Sequence, residues 1–139
     1  MLGAQYQKGN LNARLTQGAL HLRAGRPAQA LATAREIREL AAQFRARLPE
    51  AWQLEGDALA DLGELDAAEA AYREGLAAAR AVEAAPGLWY VSQALASLLA
   101  RTGRPEEAAA LRATVARELD ALAVTLGEPG LRETLAAHA

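Results

Sequence analysis

The sequence predicts an all-α fold, a right-handed α-α superhelix of three helical pairs closed by a C-terminal capping helix, and three observations carry that prediction. The residues are 52% hydrophobic but only 4% aromatic, so Ala and Leu must supply the core, which suits close helix packing and starves a sheet of the residues strands prefer. The apolar positions recur at helical spacing between glycines and prolines that punctuate the chain at regular distances. Small residues also recur at a fixed offset: Gly18, Gly25 and Ala30 precede Gly56, Gly63 and Ala68 by 38 positions, and Gly103 and Ala108 follow by 40, with Ala96 in the place of Gly56. A repeated unit of two helices and a tight turn explains all three.

Taken in order, residues 1–10 are polar and interrupted by glycine, and they read either as a frayed arm or as the end of a helix, with Asn10 as an N-cap. A first helix over 11–24 stops at Gly25, and Pro27 opens a second that ends before Pro49. In the middle pair, Trp52, Gly56, Leu59 and Leu62 share one arc of a helix while Gln53, Asp57, Ala60 and Asp61 share the opposite one. Gly63 supplies a left-handed stop, and Asp66 stands near the start of a helix rich in strong formers that runs to about Ala85, where Pro86-Gly87 breaks it. Helices over 88–102 and 105–126 make the third pair. After a turn at 127–130, a short helix brings Leu131 and Leu135 as a lid, with Glu128 and Arg132 spaced to pair in its first turn. The whole chain, 1–139, thus reads as one domain with repeats at about 11–48, 49–86 and 88–126 and a capping helix at 130–138.

Two places strain this pattern. Glu55 falls inside the packing arc between Leu59 and Leu62, where an unpaired carboxylate is costly. It is expected to meet Arg38, Arg45 or Arg80, or to escape to the edge. In the first helix, Leu11, Leu15 and Leu22 share a narrow arc with Gly18, and the reading places this arc toward a groove, with Leu20 and Ala13 on the packing side. Leucines left in water call for a cover, either residues 1–9 with Leu2 and Tyr6, or a partner.

Composition bounds the function. Fifteen basic and seventeen acidic residues leave a net charge of −2 with no basic face, which excludes a phosphate-tracking nucleic-acid surface. The absence of cysteine removes disulfides and thiolate metal sites, and no run approaches the roughly 20 apolar residues of a membrane span. Without a signal-peptide pattern, a cytoplasmic location is expected. No phosphate loop, nucleophile elbow or zinc-binding helix motif is present, so no enzyme, cofactor or catalytic residue is predicted. His21 occupies the position of Leu59 and Leu99 and is read as a packing histidine. Asp57 and Asp61 form an i,i+4 carboxylate pair, but a hard cation needs about six oxygen ligands and the neighbourhood supplies no others, so no metal is predicted.

The stretch 49–76 resembles the tetratricopeptide repeat, matching its spacing at Trp52, Gly56, Gly63, Ala68 and Tyr72 and departing from it at Glu55, Leu59 and Gly75. The resemblance implies a non-catalytic protein-interaction module whose first helices line a concave groove for a peptide or partner helix. By position its wall is Asn12, Leu15, Leu22 and Arg23, then Gln53, Leu54, Asp57 and Asp61, then Tyr90, Gln93, Ser97 and Arg101. One subset of the family grips a C-terminal carboxylate with basic and amide side chains, but Leu15, Ala19, Leu54, Tyr90 and Ala94 stand at those positions, so that activity is not implied. The lengthened repeats look like those near the C-termini of bacterial signalling ATPases, cyclases and transcriptional regulators. The alternative reading is a self-associating structural domain, a homodimer rather than a receptor for a foreign protein.

Overall fold

The computed structural model describes residues 2–44 and 47–137. These form seven helices: α1 (Leu2–Arg23), α2 (Pro27–Phe44), α3 (Leu48–Asp61), α4 (Leu65–Ala81), α5 (Ala85–Arg101), α6 (Pro105–Leu126) and α7 (Leu131–Ala137). Each of the first six packs against the next in sequence, α3 also touches α1 and α5, and α7 lies on α5 and α6. The described residues therefore form an all-α superhelix of helical pairs with the first helices of successive pairs side by side.

The turns show why the glycines are spaced as they are. After α1, α3 and α5, the N–H groups of Arg26, Glu64 and Arg104 reach back to the carbonyls of His21, Leu59 and Leu99 at 2.8, 2.9 and 2.8 Å. This closure demands a left-handed residue just before the donor, and Gly25, Gly63 and Gly103 supply it with φ of 72°, 83° and 79°. The chain then re-enters a helix at once, with Ala30, Ala68 and Ala108 essentially fully buried where the two axes of a pair converge.

The connection between α4 and α5 differs from the sequence expectation. The helix ends at Ala81, Glu83 takes the left-handed conformation with φ 53°, and Ala84 N–H bonds the Ala79 carbonyl. Pro86 and Gly87 then lie inside the first turn of α5 instead of breaking the chain, because a proline there sacrifices an N–H that has no intrahelical partner anyway. Gly87 is needed for packing: a Cβ on it would stand 2.9 Å from Pro49 Cβ. Gly75 is the same case, with Trp52 Cβ and Val91 Cγ1 3.1 and 3.2 Å from where its Cβ would be, so α4 settles closely between α3 and α5.

The reading of α1 is corrected in two respects. The helix begins at Leu2, so 2–10 belong to it as its first part. The leucine arc faces inward: Leu11 is fully buried with Ala34, Ile37, Ala51 and Leu54, Leu15 and Leu22 pack on that cluster, and Leu20 is 56% exposed. Gly18 explains the orientation. A Cβ there would fall 2.4 Å from Leu54 Cδ2, so the smallest residue of the arc marks where α3 presses on α1, just as Gly56 marks where Tyr72 presses on α3. The proposed cover by Leu2 and Tyr6 concerns side chains outside the described residues, as does Arg45 among the candidate partners of Glu55.

The main core runs from α3 to α7 through Leu59, Tyr72, Leu88, Leu95, Leu99 and Leu119. Leu131 and Leu135 of α7, each 8% exposed, join it from the C-terminal end. Arg132 pairs with Asp120 of α6 at 2.7 Å, so the expected local pairing with Glu128 gives way to one that ties α7 down. On the side of the second helices, Arg80 forks onto Glu118 with two bonds of 2.8 Å, and Arg104 reaches Glu69 at 2.6 Å, joining the second and third pairs.

Candidate functional site

Helices α1, α3 and α5 stand side by side, and near their C-terminal ends they enclose a groove of about 330 Å³. Its apolar wall comes from Leu22 of α1, Ala60 of α3, and Ala94 and Leu98 of α5. The polar groups are Asp57 and Asp61 from one face of α3, Ser97 and Arg101 from one face of α5, and Tyr72 from α4 behind them. Each polar pair is spaced i,i+4, so each helix offers its two groups one turn apart in the same direction.

Tyr72 reaches this groove from the second layer because Gly56 lets it through. A Cβ on Gly56 would lie 2.5 Å from Tyr72 Cε1, so the ring occupies the space a side chain would need. The ring is buried, and its hydroxyl donates to Asp57 Oδ1 at the groove. Sequence reasoning matched both residues as packing elements and missed this hydroxyl. The available signal was that a buried tyrosine needs a partner for its O–H.

Burial pushes the Asp57 carboxyl above the usual carboxylate range, the Tyr72 hydrogen bond opposes that rise, and the charge of Asp61 adds to it. The Tyr72 phenol is pushed up as well, first by burial and then by the negative charge of Asp57. Two acids away from the groove are held down by cations. Glu69 is held below the ordinary glutamate value by hydrogen bonds from Arg104 and Arg73, and Glu107 by Arg104. Among the described residues, no basic side chain comes within ion-pair distance of Asp57 or Asp61, although Arg101 lines the same groove. Neither do three His, Cys, Asp or Glu side chains of the described residues come together in a way that could hold a metal ion.

Of the twelve positions that sequence reasoning assigned to the groove wall, the structure gathers Leu22, Asp57, Asp61, Ser97 and Arg101 around this one depression. Leu54 is corrected: at 7% exposure it belongs to the core between α1 and α3. Leu15 likewise leans on that core. Asn12 and Arg23 are exposed, and Gln53, Tyr90 and Gln93 are half-buried outside the depression.

Residues 49–82 match the family model of the tetratricopeptide repeat. The crystal structure of the TPR domain of Arabidopsis FLU superposes with a TM-score of 0.70 at 22% sequence identity, covering 83% of this chain and 98% of that one. No curated protein matches the sequence. The middle helical pair is thus a tetratricopeptide repeat, and the chain has the fold of a TPR domain. No helix among the described residues is long and apolar enough to cross a membrane.

Proposed function

We propose that this chain is a non-catalytic protein-interaction module that receives a peptide or a helix of a partner protein in the groove between α1, α3 and α5. The supporting observation is a pair of carboxylates lining the groove, one of them raised by burial, with no ion pair among the described residues. On the side of the second helices, Glu118 and Glu69 are paired within the chain, with Arg80 and Arg104. In the groove, Asp57 and Asp61 are left without such a cation among the described residues, and burial works against the ionised Asp57. A group kept where it opposes folding is a mark of a site shaped for something other than stability. The tetratricopeptide fold agrees, since stacked helical pairs generate a concave face by geometry alone.

In this reading the protein works in the cytoplasm with protein partners and with neither nucleic acid nor membrane, in the setting of a bacterial signalling or regulatory protein. A direct test compares the intact chain with Ser97→Trp, which fills the groove from an exposed position. Loss of a captured partner with unchanged melting supports the groove, whereas undiminished capture moves the binding surface elsewhere. Self-association is the second reading, favoured by Val124 and Leu126, 83% and 50% exposed at the end of α6. Light scattering across a concentration series separates the two, because a constant monomer mass excludes self-association.

A further inference from the structure

We infer that the groove takes an arginine side chain of the partner peptide, held between Asp57 and Asp61 with its stem along the apolar wall. This rests on the groove reading above and adds the chemistry of the occupant. Three features on different helices converge on it. The two carboxylates stand one helical turn apart on α3 and face the same depression, which concentrates negative charge at one point. Tyr72 occupies Asp57 Oδ1 and so orients that carboxylate, leaving Oδ2 without a hydrogen-bond donor among the described residues. The wall beside them, Leu22 and Leu98, is apolar and suits the methylene stem that a long cationic side chain lays down before presenting its head.

Arginine fits better than lysine. A guanidinium carries five donors in a planar fork and can serve two separate carboxylates at once, and it is less strongly hydrated than an ammonium, so a partly desolvated groove costs it less. Arg101 does not fill this role from within. It lines the groove but lies outside ion-pair distance of either carboxylate, and its guanidinium can meet a carboxylate or backbone carbonyl of the same peptide. The occupant is therefore a segment with arginine flanked by apolar residues, and complementarity of charge sets its orientation.

The test uses the full chain labelled with nitrogen-15 and three capped pentapeptides, Ala-Leu-Xaa-Leu-Ala, in which the central residue is arginine, citrulline or glutamate. Citrulline keeps the shape of arginine and removes its charge. The inference expects the arginine peptide to shift the amides of Asp57, Asp61, Ser97 and Arg101, and the citrulline peptide to bind at least about ten-fold more weakly, a difference of about 1.4 kcal/mol. Asp61→Asn, on an exposed residue, is expected to erase that preference while leaving the fold intact. Equal binding of the arginine and citrulline peptides in the groove overturns the inference and leaves the groove reading standing. A preference for the glutamate peptide overturns it in favour of Arg101 as the anchor. If no peptide shifts the groove amides at millimolar concentration, the inference and the groove reading fail together.

Discussion

Glu55 and Arg38 form an ion pair within the packing surface of this fold. The carboxylate on α3 is 5% exposed, and Arg38 of α2 binds its Oε1 through Nε at 3.3 Å and Nη2 at 3.1 Å, with Arg35 3.7 Å from the same oxygen. The guanidinium of Arg38 also lies 4.3 Å from the centre of the Trp52 ring. Arg38 was among the partners the sequence named for Glu55, and the geometry shows why it prevails: it lies over Trp52, one turn from the acid.

Removing either member of this pair should have unequal effects. Arg38→Ala leaves a buried carboxylate with Arg35 alone, 3.7 Å away and without a hydrogen bond to it, and loses the stacking on Trp52, and a cost of about 1–3 kcal/mol is expected. Glu55→Leu removes the acid and its desolvation together, and the remaining arginines can turn to water, so a change within about 1 kcal/mol of zero is expected. Urea melts of both variants check this. Equal losses would show that the pair contributes through its own attraction more than through the need to neutralise the acid.

The close helix contacts make a second comparison. Gly56→Ala places a methyl against the Tyr72 ring, whose carbons would lie 2.5 and 2.6 Å away. A buried ring tied to Asp57 cannot swing aside, so a loss of about 1–3 kcal/mol and a lowered melting temperature are expected. Gly18→Ala meets only the methyl end of Leu54 at 2.4 Å, a group that can change rotamer, and alanine gains up to about 1 kcal/mol in helix propensity. Its net effect is expected to be much smaller than that of Gly56→Ala, and similar losses at both sites would mean that the α1–α3 contact is as rigid as the α3–α4 contact.

Much of this architecture was legible because the recurrent signals are backbone signals. Gly25, Gly63 and Gly103 occupy the left-handed closure of successive turns, and Ala30, Ala68 and Ala108 occupy the close approach that follows each. What the sequence could not orient was the first helix. Its leucine seam and its polar back look alike whether the seam meets a groove or a core, and only the contact of Gly18 with Leu54 decides. The groove was half-legible for a similar reason. Helical spacing put Asp57 with Asp61 and Ser97 with Arg101, but Leu54, one turn before Asp57 and Ala58, is drawn into the core by α1, which only the packing reveals.

The turn after α4 breaks the glycine rule and so allows a stabilising change. Glu83 holds φ at 53° in a position where four other helix ends, after α1, α3, α5 and α6, use glycine. A left-handed non-glycine residue costs about 1–2 kcal/mol. Glu83 forms no ion pair with the described residues that would offset this. Glu83→Gly should therefore raise stability by up to about 1 kcal/mol, and Gly63→Ala, the opposite change at φ 83°, should lower it by about 1–2 kcal/mol. Thermal melts of the two variants, run in one buffer, read both signs.

The last prediction concerns the pH dependence that Asp57 imposes. Its carboxyl is raised by burial, with a smaller contribution from Asp61, so the folded state holds the proton more tightly than the unfolded chain does. A raised carboxyl adds stability that is complete below the unfolded value of about 4 and is lost as pH rises through the folded value. Glu69 has the opposite sign: held down by Arg104 and Arg73, it adds stability above the unfolded glutamate value of about 4.3 and loses it as pH falls. The wild-type profile mixes the two, and the difference between wild type and Asp57→Asn isolates the first. Asparagine keeps an oxygen to accept the Tyr72 hydroxyl and carries no charge to desolvate. The variant should therefore gain in melting temperature relative to wild type as pH rises from 4 to 7, with its smallest advantage at the acid end. A variant that loses ground over the same range would show that the Tyr72 hydrogen bond to the ionised carboxylate outweighs the cost of burying it, and Asp57 would then be a structural acid and not one that the groove retains against stability.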